Sequence, residues 1–307
     1  MSRFKVSFII CFAVLATSYG YGDPQKMDEA GELFRVVHNG KWGYIDKAGE
    51  LVIRMQFDNA SDFSEGLASV NIGGLIGGRW GYIDKTGKRV IKPQFDGAGD
   101  FSQASAPVKI GEKWGYIDKT GKHVIEPQFH NASNFSEGLA SVNTGDSING
   151  KWGYIDKKGQ RIIQPQFDSA GGFFDGLAPV KIGQKWGYID KTGKYAIQPQ
   201  FNSAGSFSEG LAPVKTGEKW GYIDKTGERV IQPKFDIAWD FSEGLASISI
   251  GGLIGGKWGY IDKTGTQVIT PRFDWAGNFV EGIAAVKSSE KWGYIDRTGE
   301  YVWSPPE

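Results

Sequence analysis

The side chains most able to do chemistry in this 307-residue chain are its acids, its three histidines and its single cysteine. His38, His123 and His130 have no second ligand-type residue at a metal-site spacing. Cys11 falls inside an apolar N-terminal run, and no Gly-x-Ser-x-Gly segment occurs, so covalent catalysis has no candidate nucleophile. The acids recur instead. Asp46, Asp84, Asp118, Asp156, Asp190, Asp224, Asp262 and Asp296 each close a Trp-Gly-Tyr-Ile-Asp or closely matching segment. A ladder of carboxylates could bind calcium. A calcium loop, however, needs several oxygens from alternate positions, whereas each turn here offers one carboxylate beside a lysine. An Asp followed by Lys-Thr-Gly reads better as a turn, its carboxylate accepting from the backbone and its Gly taking a positive φ.

A second acidic series, Glu65, Glu137, Asp175, Glu209, Glu243 and Glu281, contains Gln103 in one copy and is therefore a template feature rather than a catalytic pair. Residues 72–78 and 250–256 both read Ile-Gly-Gly-Leu-Ile-Gly-Gly. They suggest a phosphate cradle but lack the Lys-Ser/Thr pair and the strand-to-helix setting that make one specific, so they are expected to be loop extensions. No catalytic residue, metal or cofactor is expected.

The elements that position these residues are repeats. Trp-Gly pairs begin at Trp42, Trp80, Trp114, Trp152, Trp186, Trp220, Trp258 and Trp292, a period of about 34 residues that lengthens where a loop carries four more. Within one unit, residues 211–215, 220–224 and 229–231 are short β-branched and aromatic runs punctuated by Gly and Pro, which predicts strands. The connector, residues 234–244, carries Phe235, Ala238 and Phe241 among polar residues. Pleating puts Trp220 and Tyr222 on one face and Ile223 on the other, so both faces should be covered. Gly221 leaves room for the close approach of a backbone or ring. A buried Trp is worth roughly 5 kcal/mol gross, which makes the eight tryptophans the expected main burial term. An exposed aromatic ladder for sugar stacking is the sharper alternative.

The chain's ends and charge bound its setting. Residues 1–20 have a basic start at Arg3 and Lys5, an apolar run and small residues at Ser18 and Gly20, the layout of a signal peptide. Residues 21–30 form a short lead-in, and residues 31–307 are expected to be one domain of eight repeats. Cleavage would leave no cysteine, hence no disulfide, and would take the formal charge from 0 to −2. A near-neutral chain with scattered lysines carries no footprint for nucleic acid, and no later run is long enough to span a membrane.

The unit Lys-Trp-Gly-Tyr-Ile-Asp-Lys-Thr-Gly-Lys-x-Val-Ile-x-Pro-Gln-Phe, recurring from about residue 31 to 307, resembles that of the bacterial WG-repeat proteins. Met55 replaces the Pro, and His130 and Asn202 replace the Asp after Phe. The resemblance implies a β-repeat protein, often exported, with no established enzymatic activity, and it transfers no catalytic residues.

Two all-β architectures fit. A β-propeller closes on itself, whereas an open β-solenoid needs polar end caps. The first and last repeats keep their Trp, Tyr and Ile, which favours the closed ring, with blades of three strands plus an irregular connector because 34 residues are few for four strands. Trp239, Trp275 and Phe174 are rings where the template is small or polar, and are the candidate ligand-binding residues. The expected role is that of an exported, non-enzymatic binding or scaffold protein, periplasmic or at the cell surface, meeting a protein or glycan through variable loops. A hydrolase or lyase with a site in a central channel, or a passive spacer, is the alternative.

Overall fold

A computed structural model describes residues 33–46, 51–74, 77–145, 150–252, 255–289 and 291–303. The expected signal peptide and lead-in, residues 1–20 and 21–30, lie outside these. All regular structure among the described residues is β, arranged in seven four-stranded sheets and one three-stranded sheet. The chain divides into two compact units, Met1–Phe167 and Asp168–Glu307, with four sheets in each. Every sheet is an antiparallel meander in chain order. Such a sheet, covered on both faces, is the blade of a β-propeller, and the fold is of that class.

The sixth blade shows how the repeat builds it. Its strands are Ser203–Ala204, Leu211–Thr216, Lys219–Asp224 and Arg229–Phe235. The first of these comes from the stretch expected to be an irregular connector. Two residues are enough for a strand there because Ser203 and Ala204 pair with Lys215 and Val214, and the backbone bond Gly205 N to Pro213 O continues the ladder at 2.9 Å. A 34-residue repeat thus reaches four strands by making one of them minimal.

Between the third and fourth strands the register shifts, with Trp220 opposite Phe235 and Tyr222 opposite Ile231. Residues 232–234 bulge, and Pro233 is tolerated because a bulge withdraws its position from the ladder. The bulge also explains Gly221. A Cβ there would lie 2.4 Å from the Ile231 carbonyl oxygen and 2.7 Å from Pro233 N. The backbone that approaches the glycine is therefore that of its own sheet's edge strand.

Packing between blades differs from expectation in one respect. Tyr44, Tyr82, Tyr116, Tyr188, Tyr222 and Tyr260 are completely buried, whereas Trp114 and Trp258 are the tryptophans of the Trp-Gly pairs that reach full burial. Trp42, Trp80, Trp152, Trp186, Trp220 and Trp292 keep partial exposure. Trp220 pairs with the far end of the bulged edge strand, at Phe235, while Tyr222 pairs on the other side of the bulge, at Ile231. Tyr222, Ile231 and Phe235 of the sixth blade meet Ala238, Phe241, Ala246, Ile248 and Ile261 of the seventh in one core cluster. The Tyr222 ring lies 4.9 Å from Phe241, and its hydroxyl donates to the Trp239 carbonyl at 2.7 Å.

The second acidic series also works between blades. Ser208-Glu209-Gly210-Leu211 is a tight turn closed by two backbone bonds, with φ of 53° at Glu209 and 88° at Gly210. Glu209 accepts from Gly244 N at 3.0 Å and pairs with Lys263 of the seventh blade at 3.0 Å. Glu65 accepts likewise from Ala104 N, Asp175 from Gly210 N and Glu243 from Gly282 N. Gln103 serves equally, its amide oxygen accepting from Gly138 N at 3.0 Å.

The unequal burial makes a stability prediction. Tyr222→Ala should cost about 3–5 kcal/mol, since it removes a wholly buried ring. Trp220→Ala should cost about 1–3 kcal/mol, because much less of its surface is withdrawn from water. Urea unfolding of the two variants checks the order, and a larger loss for Trp220→Ala would contradict it.

Candidate functional site

Most residues that looked chemical prove to hold the blades together. Asp224 Oδ1 accepts from Thr226 N at 2.9 Å, Thr226 Oγ1 at 2.7 Å and Glu228 N at 3.0 Å. These bonds hold its carboxyl below the ordinary value of 3.8, the Thr226 hydroxyl contributing most. Asp84, Asp118, Asp190, Asp262 and Asp296 are lowered in the same way, each led by its own threonine. The glycine-rich loop beginning at Ile72 is tied down by Asp58, whose Oδ2 accepts from Gly73 N and Gly74 N at 3.0 Å each. Asp236 treats Gly251 and Gly252 identically.

The histidines remain apart in role. His130 stands 3.0 Å from Lys113 Nζ, and His123 packs edge-on against Phe95 at 6.4 Å. The His38 side chain lies outside the described residues. Among the described residues, no three His, Cys, Asp or Glu side chains are placed to hold a metal ion.

What the template does not consume lies in the connector of the second to eighth blades, just before its Phe. That position holds Asp62, Asp100, Asn134, Gly172, Ser206, Asp240 and Asn278. Three of these are aspartates, and their surroundings differ. Asp62 is matched by Arg35, which donates through Nε at 2.6 Å and through a second nitrogen at 2.9 Å. Asp100 is enclosed, and burial raises its pKa against the opposing hydrogen bond with Ser61, with Asp62 adding repulsion and Arg35 relieving it.

Asp240 has neither device. The residue that corresponds to Ser61 one blade earlier is Gly205, and a Cβ on it would lie 2.9 Å from Asp240 Oδ1 and 2.7 Å from Pro213 Cγ. The carboxyl occupies room that the glycine leaves empty. Asp240 keeps partial surface exposure, yet protein crowds it closely enough for burial alone to push its pKa to about 7. Burial raises Tyr188 and Tyr222 as well, and the Asp240 charge raises both further. Such a carboxyl, set back from the surface without a counter-charge, is costly to ionise.

The sequence candidates divide around it. Trp239, the residue before Asp240, takes a place held by Ser61, Gly99, Ser133, Gly171, Gly205 and Gly277 in other blades. Its ring stacks on Trp258 at 6.5 Å and 22°. Trp275 meets Trp292 at 5.1 Å. Both Trp239 and Trp275 are partly buried and pack against the same cluster, which includes Phe273, Ala276 and Phe279. The structure therefore unites these two, and each fills space in the core while keeping an exposed part. Phe174 is different. It is half-buried in the tight turn of the fifth blade, where its backbone bonds Leu177, and it joins neither tryptophan in that cluster.

The substitution at Trp239 also strands polar groups. In the fourth blade Ser133 and Ser141 bond each other at 2.8 Å, but in the seventh Trp239 stands where Ser133 does. Trp239 Nε1 and the wholly buried Ser247 Oγ are both without a partner.

Asp240 was missed by sequence reading. The signal was an acid beside an anomalous Trp, but its meaning depends on Gly205, 35 residues earlier, and so on contact between repeats.

These features define a β-propeller whose blades come from one short unit. Seven stretches, residues 42–75, 80–114, 114–146, 152–186, 186–220, 220–253 and 258–292, match the model of the WG containing repeat, and the chain belongs to that family. No match to a curated protein sequence reaches significance. Among solved structures, the chain is similar to one described as the crystal structure of the eukaryotic initiation factor, with a TM-score of 0.62 and 11% identity over 89% of this chain and 85% of that one. It is also similar to Porphyromonas gingivalis dipeptidyl peptidase 4, with a TM-score of 0.58 and 10% identity over 90% of this chain and 58% of that one. Prolyl oligopeptidase B from Galerina marginata gives a TM-score of 0.54 and 12% identity over 80% and 49%. At these identities the likeness is one of fold alone.

Asp240 predicts a pH signature. Folded, it holds its proton to about pH 7, whereas unfolded it ionises near 3.8. Between those values the folded state binds more protons, so this group removes stability as pH rises from about 4 to about 7 and costs a constant amount above. Tyr188 and Tyr222, which feel its charge, stay neutral throughout. Asp240→Asn should therefore match wild type near pH 4 and exceed it above pH 7 by up to roughly 4 kcal/mol. Denaturant melts across that interval check it, and a gap independent of pH would mean that the Asn acts through packing.

Proposed function

We propose that this is an exported, non-enzymatic binding or scaffold protein, and that its second unit carries the contact surface around Trp239 and Trp275. One observation carries the reading. The template's acids, lysines and tyrosine hydroxyls are largely spent on bonds within and between blades, while the two tryptophans that depart from it, Trp239 and Trp275, fall in the seventh and eighth blades. Large aromatic rings that are partly exposed on a rigid support are what recognition surfaces commonly use. Export is supported by the basic start, apolar run and small residues of residues 1–20, and the setting would be the periplasm or the cell surface. The partner class is a protein or a glycan. No helix among the described residues is long and apolar enough to cross a membrane.

The hydrolase or lyase alternative draws its support from Asp240, an acid whose proton affinity suits exchange near neutrality. General acid catalysis also calls for a second group acting on the same bond, and the groups known to feel Asp240 are the buried tyrosines Tyr188 and Tyr222. Binding is the reading we adopt.

Immobilised chain lacking residues 1–20, incubated with envelope extract and separately with a glycan array, tests it. A partner retained by wild type should be lost at least tenfold by Trp239→Ala with Trp275→Ala. Trp239→Phe, which keeps a ring against Trp258, should lose less, and thermal melts establish that the variants are folded. Retention unaffected by the double substitution overturns the surface assignment.

A further inference from the structure

The turn between the first two strands of the first blade departs from the template. Between Phe34–His38 and Lys41–Ile45, Asn39 and Gly40 form a two-residue hairpin closed by the opposition of His38 and Lys41. Both have positive φ, 49° and 74°, the conformation that selects Asn-Gly in tight hairpins. The corresponding turns at Gly111-Glu112, Gly183-Gln184 and Gly217-Glu218 put glycine first, so none sets an Asn before a Gly. Asn39 and Gly40 are both exposed, and a Cβ on Gly40 would meet nothing within 4 Å. Among the described residues the Asn39 side chain makes no hydrogen bond. Other asparagines are held. Asn59 and Asn131 each accept, through Oδ1, from the amide of the alanine that follows, at 2.8 and 2.9 Å, and Asn202 accepts from Gly217 N at 3.1 Å.

We propose that Asn39 is a site of spontaneous covalent modification, at which the Gly40 backbone closes on the side chain and converts the turn to aspartyl and isoaspartyl forms. The Gly40 nitrogen, losing its proton to solvent base, attacks Asn39 Cγ. A cyclic imide closes as the new C–N bond forms, and the bond from Cγ to the side-chain nitrogen breaks to release ammonia. Water then opens the imide. Opening at Cγ leaves an aspartate, and opening at the Asn39 backbone carbonyl leaves an isoaspartate, with the main chain routed through Cβ and Cγ. A side chain on the following residue would crowd the attacking nitrogen, and Gly40 has none. At Asn59 and Asn131 that residue is alanine, whose amide already donates to the Asn oxygen. The two products differ in consequence. Aspartate retains the turn, because Asp also tolerates positive φ. Isoaspartate breaks it, since an extra backbone carbon is incompatible with the two-residue geometry that sets the register. Among the described residues the strand Phe34–His38 pairs with Lys41–Ile45 alone, and its Arg35 donates to Asp62 and to the Ala60 carbonyl. Loss of the turn therefore loosens the edge strand that ties the first blade to the second.

The proposal is independent of the binding reading and of export. It is tested on the chain lacking residues 1–20, incubated in neutral and in mildly alkaline buffer and mapped by mass spectrometry, with methyl transfer by an isoaspartyl methyltransferase reporting the isoaspartate. Residue 149, the Asn of the chain's other Asn-Gly pair, lies outside the described residues and is scored separately. Asn39 should convert at least tenfold faster than Asn59 or Asn131, faster in the alkaline buffer, and to both products. Aged wild type should melt at a lower temperature than fresh, whereas fresh Asn39→Asp, which supplies the aspartyl form without the isoaspartyl one, should melt as fresh wild type does. The same chain in denaturant gives the rate of an unconstrained Asn-Gly pair. Native conversion within a hundredfold of that rate supports the site. Slower conversion, or conversion no faster than at Asn59, overturns it, since the turn would then protect its own amide. A lowered melting temperature in fresh Asn39→Asp would assign the loss to the new charge and overturn the role given to the isoaspartyl backbone.

Discussion

In three blades of each unit, the tyrosine is finished by the blade that follows it. Tyr44, Tyr82 and Tyr116 in the first unit, and Tyr188, Tyr222 and Tyr260 in the second, bury the ring and pass the hydroxyl to a carbonyl of the following connector. A phenol taken out of water costs free energy unless its hydroxyl is bonded. In five of the six the carbonyl that accepts it lies directly after the short first strand, which its two residues alone could not hold in place. Ring and strand therefore stabilise one another, and neither belongs to a single repeat. An isolated unit would have an exposed Tyr and a frayed connector. This is the nearest-neighbour dependence that makes repeat proteins cooperative.

The tight turn shows the same logic applied to strain. A glutamate at φ of about 50° is an uncommon conformation for a residue with a Cβ, yet it recurs at Glu65, Glu137, Glu209, Glu243 and Glu281. Asn or Gly would be easier there. The glutamate is retained because its carboxylate reaches an amide of the next blade's turn, as Glu209 reaches Gly244. A hydrogen bond from an amide to a charged acceptor is worth about 1.5–3 kcal/mol, comparable to the backbone cost. Gln103, with φ of 53° and an amide oxygen on Gly138 N, shows that acceptance rather than charge is required.

Much of this was legible in the chain. The period predicted β-blades, the Asp-Lys-Thr-Gly words predicted the hairpin turn, and the Gln at position 103 marked the second acidic series as a feature of the template. Three things were not legible. Which of Trp and Tyr is buried depends on the bulge at residues 232–234, which shifts the register after both residues have been placed on one face. The connector's strand is too short to have a period. The environment of Asp240 depends on Gly205 and Tyr188, residues of the preceding blades, whereas a template read one repeat at a time compares like positions and never neighbours. Trp239 could be flagged because it departs from its own column. Asp240 could not, because Asp62 and Asp100 made an acid look ordinary there.

That last contrast bears on how a repeat protein acquires a site. Structural positions are fixed by contacts copied in every unit, so a change at one of them disturbs two blades. The position before the connector Phe is freer: it accepts Asp, Asn, Ser and Gly, and its partner one blade earlier varies independently among Ser, Gly and, at Trp239, Trp. Individuality can arise from the pairing alone, with no residue type new to either column. Ser61 with Asp100 gives a hydrogen-bonded acid, Gly99 with Asn134 a neutral contact at 3.0 Å from where a Cβ would stand, and Gly205 with Asp240 an acid without complement. The third combination is less stable at neutral pH than the other two would be, since a buried carboxyl must either ionise unaided or hold its proton. Packing does not call for it. The cost is concentrated at one pairing, beside the one place where a Trp stands in a column otherwise filled by Ser and Gly, and the other pairings maintain the architecture without it.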